Sequence, residues 1–195
     1  MSQTVLFIDG ENFLHKIEDV IKQENLKKTL IDTSSINIDN LLLKPLTGIK
    51  LDRKIFYAAK LRIHPDTIKK SQQLVDSQRR LKNNLTNQGF EFVLAGNVRA
   101  QEIKSGKEKT LVFKEKGVDV RIAVDMVAMA CDGQIKTAIL CSSDSDLQPA
   151  VAELKKRKVE IIYLGFENNP NKGLTYTTDR TILIRNSEVD QSFGK

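Results

Sequence analysis

The sequence predicts an α/β fold, a doubly wound and mostly parallel sheet flanked by helices, with a β-hairpin arm. Three observations predict it. Apolar runs such as Val5-Leu6-Phe7-Ile8 and Thr137-Ala138-Ile139-Leu140-Cys141 are continuous rather than alternating, as in strands buried on both faces. Segments with helical periodicity stand between such runs, so strands and helices alternate along the chain. The 195 residues, 40% apolar and 29% charged, suit one domain with a full hydrophobic core, here taken as 1–195.

The elements follow in order. Val5 to Ile8 ends abruptly at Asp9-Gly10. Glu11 to about Gln23 carries an apolar stripe of Phe13, Leu14, Ile17, Val20 and Ile21 and reads as a helix. Residues 25–50 are polar and less regular, an elaboration in which Ile36, Leu41, Leu42 and Leu43 suggest a second short helix. Arg53 to Ala59 reads as a strand. His64-Pro65-Asp66 opens a long helix, Pro65 through its fixed φ and Asp66 through the helix dipole; it runs to about Asn87, with Gly89 closing it. Phe90 to Leu94 is the next strand. Two runs flank Ser105-Gly106-Lys107, and the second, Thr110 to Phe113, has strand composition, so a hairpin forms near 97–117. Val118 to Cys131 is a strongly apolar helix, Thr137 to Cys141 a buried strand, and Leu147 to Arg157 a helix. Val159 to Leu164 and Thr181 to Arg185 complete the sheet.

Net charge is +6, a mild bias that permits a polyanionic partner without demanding one. Its distribution says more. Between Asn97 and Gly117, Arg99, Lys104, Lys107, Lys109, Lys114 and Lys116 face only Glu102, Glu108 and Glu115, which reads either as a solvated loop or as a phosphate-contacting surface. Arg79, Arg80 and Lys82 form a second basic group. No apolar run approaches the roughly 20 residues that span a bilayer, and the N-terminal residues lack the features of a signal peptide. Cys131 and Cys141 lie in apolar surroundings and read as small core residues. A reducing compartment, by default the cytoplasm, follows from these readings.

Three acidic places follow or open buried elements. Asp9 ends the first strand, and in open α/β sheets ligands sit beyond the carboxyl ends of the strands; Asn12, three residues on, stands at a helix start. The plain alternatives are a turn residue for Asp9 and a capping residue for Asn12. Asp144 and Asp146, in Ser142-Ser143-Asp144-Ser145-Asp146, follow the strand ending at Cys141. Two such carboxylates repel each other unless a cation neutralises them, and the hydroxyls of Ser142, Ser143 and Ser145 can hydrogen-bond both them and nearby backbone groups. Ser145 or Asp146 is also expected to cap the following helix. Asp119 opens the apolar helix at Val118. Asp125 has Arg121 four residues back as a partner, whereas Asp119 has only Ile122 and Ala123 at those offsets and needs another compensation.

Asp9, Asp119, Asp144 and Asp146, with Asn12 beside them, make an all-oxygen donor set suited to Mg²⁺ or Mn²⁺ rather than zinc. His15 and His64 are isolated and read as structural or surface residues. No P-loop and no G-x-G-x-x-G is present, which disfavours nucleoside triphosphates and dinucleotides. Asp9-Gly10-Glu11 lacks the second aspartate of an aspartyl-phosphate phosphatase. An acidic metal site facing a basic surface suits phosphodiester chemistry.

Val5 to Asn12, Lys116-Gly117-Val118-Asp119-Val120 and Ser142 to Leu147 resemble the three signature stretches of the NYN-domain family, a branch of the PIN-like nuclease superfamily. They stand in the family's order, and the likeness spans nearly the whole chain, Lys158 to Gly165 resembling the strand after the last signature. The resemblance implies a doubly wound PIN-like fold and Mg²⁺- or Mn²⁺-dependent ribonuclease chemistry. By position Asp9, Asp119, Asp144 and Asp146 would hold the metal, and Asn12 would hold the site or touch the phosphate. Ser143 stands where the family often has Gly. The reaction expected is hydrolysis of RNA, single-stranded or structured, leaving 5′-phosphate and 3′-hydroxyl ends. Arg99, Lys104, Lys107, Lys109 and Lys114, with Arg79, Arg80 and Lys82 as the second group, would contact the backbone. Few aromatic residues are available for base stacking. A non-cleaving RNA-binding or regulatory module of the same fold is the alternative, and a small-substrate phosphatase a weaker rival. No membrane partner is expected, and the oligomeric state, a homo-oligomer included, is left open.

Overall fold

A computed structural model describes residues 2–23, 32–63, 65–105 and 108–192, with the backbone alone at 66, 99–105 and 108–115. His64, Lys107 and the first part of the 25–50 elaboration lie outside the described residues. Seven strands form one sheet: β1 (Gln3–Asp9), β2 (Arg53–Lys60), β3 (Glu91–Ser105), β4 (Glu108–Lys116), β5 (Ile135–Cys141), β6 (Glu160–Phe166) and β7 (Arg180–Ile184), in the order β4-β3-β2-β1-β5-β6-β7. All neighbours pair in parallel except β3 with β4.

The central position of β1 follows from its sequence. Both of its faces are apolar, so it must be covered twice. Leu6 and Ile8 join the core that packs beneath helices α1 (Gly10–Gln23) and α3 (Ile68–Asn87). Val5 and Phe7 join the opposite core, beneath α4 (Val118–Cys131) and α5 (Gln148–Lys156). After β3 and β4 the chain crosses back along α4 to β5, on the other side of β1. The sheet therefore changes direction of growth beside β1, where α/β folds open a crevice.

Several boundaries differ from the sequence expectation. The short helix α2 spans Ile38–Leu42, with Ile36, Leu41 and Leu42 buried but Leu43 68% exposed. Asn37 caps it by accepting from the Asn40 N–H, so its apolar stripe turns away before Leu43. The long helix begins with a 3₁₀ turn at Pro65–Thr67 and becomes α-helical only at Ile68; Gly89, at φ +78°, closes it as expected. Cys141 is buried, but Cys131 is exposed and its Sγ lies 3.1 Å from Arg157 Nε. Cys131 is the last residue of α4, where the helix leaves the sheet. Two short helices, α6 (Lys172–Thr177) and α7 (Asn186–Ser192), had no legible periodicity.

Phe90 to Leu94 also proves to be part of a longer strand. β3 runs to Ser105, through Gly96 at φ +66°. Its pairing with β2 ends at Lys60↔Asn97, and beyond that it pairs, among the described residues, with β4 alone. The hairpin is thus a two-stranded ribbon growing from the carboxyl edge of the sheet. No helix among the described residues is long and apolar enough to cross a membrane.

Candidate metal centre

Strand β1 delivers Asp9 as its last residue, and α1 begins at the next. The Asp9 carboxylate accepts three hydrogen bonds. The Asn12 backbone N–H donates to Oδ1 (3.2 Å), Asn12 Nδ2 to Oδ2 (2.6 Å) and Ser142 Oγ to Oδ2 (3.1 Å). The first is a helix cap, so Asp9, not Asn12, does the capping. Asp9 is only 4% exposed. Burial pushes its carboxyl above the ordinary aspartate range, against the pull of the Asn12 and Ser142 hydrogen bonds, and the nearby Glu11 charge adds to the rise. The abrupt turn requires Gly10: a Cβ there would overlap the Phe56 ring and lie 2.5 Å from the Tyr57 carbonyl oxygen.

Strand β5, hydrogen-bonded to β1, delivers the serine-aspartate loop. The sequence led us to expect the serine hydroxyls on the Asp144 and Asp146 carboxylates and on nearby backbone groups; Ser142 does meet a backbone group, but Ser142 and Ser143 donate to side chains at the end of β1 and the start of α1. Ser142 bonds Asp9, and Ser143 Oγ donates to Asn12 Oδ1 at 2.5 Å. Short side chains at the end of one strand meet the end of the neighbouring strand first. Ser142 Oγ also accepts from the Asp144 N–H (3.1 Å), and Asp144 Oδ1 accepts from the Asp146 N–H (2.9 Å). The cap is therefore Asp144, because a 3₁₀ turn at Ser145–Leu147 precedes α5 and moves the cap upstream.

Asn171 was missed. Its Nδ2 donates to the Ser143 carbonyl (2.8 Å), and its own N–H donates to the buried Tyr163 hydroxyl (3.0 Å). It ties the loop after β6 to the loop after β5. An asparagine among other asparagines, in Asn168-Asn169-Pro170-Asn171, gives no signal of this.

Helix α4 delivers Asp119 in its first turn, immediately after Gly117 at φ +95° ends the hairpin. One carboxylate oxygen each from Asp119, Asp144 and Asp146 lies within 4.8 Å of the other two. Asp119 and Asp144 are half-buried, and Asp146 is exposed. Asp9 is not part of this trio, but it lines a cleft of about 510 Å³ with Asp119 and Asp144, beside Asn12, Lys116, Gly117 and Val120, whereas Asp146 lies outside that lining. Three like charges so close together, with only oxygen donors and no imidazole or thiol among them, fit a hard divalent cation such as Mg²⁺ or Mn²⁺. Asp125 is accounted for otherwise. Arg121 Nε donates to its Oδ1 (2.8 Å) and the Tyr57 hydroxyl to its Oδ2 (3.1 Å).

The cleft also brings in Glu11 and His15. His15 is exposed, 3.7 Å from Glu11 Oε1, so it is a surface residue as expected, yet one at the cleft. Its spacing from Asn12 along α1 was the available signal. Of the basic residues, Lys116 lines the cleft. Arg99 stands opposite Lys114 in the ribbon ladder, and Lys104 opposite Lys109. Arg79, Arg80 and Lys82 are exposed on α3 and do not line the cleft. Arg79 lies 3.8 Å from Asp76, and Arg80 Nε 3.4 Å from Ser34 Oγ.

The family model for the NYN domain matches residues 3–185. No curated protein matches the chain. Among solved structures, a protein of unknown function from Vibrio parahaemolyticus is similar at a TM-score of 0.54 and 18% identity, over 94% of this chain and 93% of that one. That likeness concerns the fold.

Proposed function

Because the chain belongs to the NYN domain family of the PIN-like nuclease superfamily, we propose that it is a metal-dependent ribonuclease that hydrolyses RNA phosphodiester bonds. The observation that carries this reading is the trio of Asp119, Asp144 and Asp146, gathered within 4.8 Å from α4 and the loop after β5. These three would hold Mg²⁺ or Mn²⁺, with Asp9 a fourth acid on the cleft floor. Bound there, such a cation lowers the pKa of a water and screens charge on the phosphate.

The chain's own residues do the rest. Asn12 and Ser142 fix the Asp9 carboxylate, and Ser143, through Asn12, locks the β1 and β5 loops into one unit. Second-sphere bonds of this kind orient ligands and tune a site. Lys116, on the cleft wall, offers a cation to the substrate backbone. Arg99 and Lys114 stand two register positions further along the ribbon and extend that basic path, with Lys104 and Lys109 nearer its tip. Phosphate contacts of this type position a strand without reading its sequence. RNA is the substrate class and partner proposed, and water is the nucleophile, leaving a 5′-phosphate and a 3′-hydroxyl.

The test is cleavage of an end-labelled single-stranded RNA with Mn²⁺ or Mg²⁺, in parallel with EDTA and with Asp144→Asn. Cleavage lost in both controls, with RNA binding retained by the variant, is the expected outcome. RNA binding without cleavage under any metal would instead identify a non-cleaving binding module.

A further inference from the structure

A second cavity of about 320 Å³ adjoins the acidic cleft and shares Glu11 and His15 with it. It opens between α1, α3 and the carboxyl end of β2. Phe56 and Ala58 form its apolar floor, and Leu74, 40% exposed, an apolar wall. Its polar lining combines acceptors with the donor-capable His15 ring and the hydroxyls of Thr33, Ser34 and Ser77. Gln78 Nε2 is engaged, donating to the Ala59 carbonyl (2.7 Å), which leaves its amide oxygen as an acceptor. Glu11 and Glu18 add carboxylates, and among the described residues no Lys or Arg lines the cavity.

Two carboxylates with no Lys or Arg beside them disfavour a phosphate and suit a neutral group that carries donors. The volume is at the small end of ligand pockets, roughly 300–1,000 Å³, and suits one ring system rather than a length of strand. Carboxylates and amide oxygens are the acceptors that meet an exocyclic amine such as cytosine N4. We propose that this cavity is a nucleobase pocket, taking one unstacked adenine or cytosine of an RNA strand whose adjacent phosphate lies in the acidic cleft. The inference rests on the RNA reading above. It adds a selectivity that the basic ribbon cannot provide: phosphate contacts hold the strand, while the pocket chooses which nucleotide sits beside the acids.

The experiment is fluorescence anisotropy in EDTA with the full chain and four short single-stranded oligomers: oligo-A, oligo-C, oligo-U and an abasic ribose-phosphate chain. Placing one base in an apolar slot is worth roughly five-fold or more in affinity, so the wild type should bind oligo-A and oligo-C at least that much tighter than the abasic chain, with oligo-U between. Ala58→Leu fills the floor and should abolish the difference while leaving affinity for the abasic chain unchanged. Leu74→Ser, at an exposed helix position, should reduce the same difference and decides the matter if Ala58→Leu does not fold. Equal wild-type affinities for all four oligomers would overturn the proposal and leave the apolar floor to a protein segment. A preference for oligo-U, or discrimination that survives in both variants, would also overturn it. Cleavage is read separately with Mn²⁺: its absence would overturn the nuclease reading alone.

Discussion

Removing one charge from the acidic trio should stabilise the metal-free protein. In Asp144→Asn the cap survives, because Asn accepts from the Asp146 N–H about as well as Asp does. What disappears is the repulsion of Asp144 with Asp119 and with Asp146, whose ligand oxygens lie within 4.8 Å. At that separation, and with a water-like dielectric suited to a partly exposed site, each pair costs about 0.9 kcal/mol, and two cost about 1.7 kcal/mol. For a chain of this size 1 kcal/mol shifts Tm by about 2–4 °C, so the variant should melt about 3–7 °C above the wild type in EDTA. The gain should persist at 0.15 M ionic strength, where the Debye length is about 8 Å, and shrink at 1 M, where it is about 3 Å. Mn²⁺ should reverse the order. At about 100 times its Kd a ligand adds about 2.7 kcal/mol to the wild type, and it should add far less to the variant. Thermal denaturation followed by circular dichroism, with EDTA and with Mn²⁺, measures all of this. A variant less stable than the wild type in EDTA, or one stabilised equally by Mn²⁺, would refute the reasoning.

Other outcomes follow from the same geometry. Ser142→Ala removes the donor to Asp9 and the acceptor for the Asp144 N–H; Mn²⁺ affinity, read by calorimetry, should fall roughly 10- to 100-fold, with about 1 kcal/mol of stability. Gly10→Ala forces a Cβ against Phe56 and the Tyr57 carbonyl and should cost about 1–3 kcal/mol by urea denaturation. Asp9 has a raised folded-state pKa, so the native state keeps its proton at a pH where the unfolded chain has lost it. Its contribution to stability is then most favourable below the ordinary aspartate pKa and declines as pH rises through the folded value. The stability of the metal-free wild type relative to Asp9→Asn should therefore fall as pH rises above the ordinary aspartate value, and a flat difference would contradict the burial argument. Lys116→Gln should weaken single-stranded RNA binding and lower the slope of log K against log salt by about 0.7, measured by filter binding.

Much of the fold was legible because its signals are strong and local. Val5 to Ile8 and Thr137 to Cys141 could only be strands covered on both faces, and they lie side by side at the centre of the sheet. The acids were legible for the same reason, since each sits where a buried element meets solvent. What sequence could not supply was pairing in space. Ser142 and Asp9 are 133 positions apart, and nothing local says that one hydroxyl serves the neighbouring strand as well as its own loop. Asn171 reaches the site through a backbone carbonyl, an acceptor that every residue possesses. The second cavity needs α1 and α3 on the same face of the sheet, which helical periodicity does not fix. Cys131 was misread because composition records apolar neighbours along the chain, while exposure depends on which way a helix end faces.

The crossing at the foot of the ribbon has a mechanical consequence. Gly96 Cα lies 3.7 Å from where a Gly117 Cβ would stand, and a Cβ on Gly96 would overlap the Lys116 carbonyl oxygen. The two backbones touch with nothing between them, so the ribbon is a cantilever with a stiff root. Gly117 is also the residue that precedes α4, two positions before Asp119. A load applied along β4 arrives at an acid of the trio with almost no slack chain to absorb it. Were a ligand on the ribbon to shift β4, the shift would be felt at Asp119, and any such coupling would be equal in both directions.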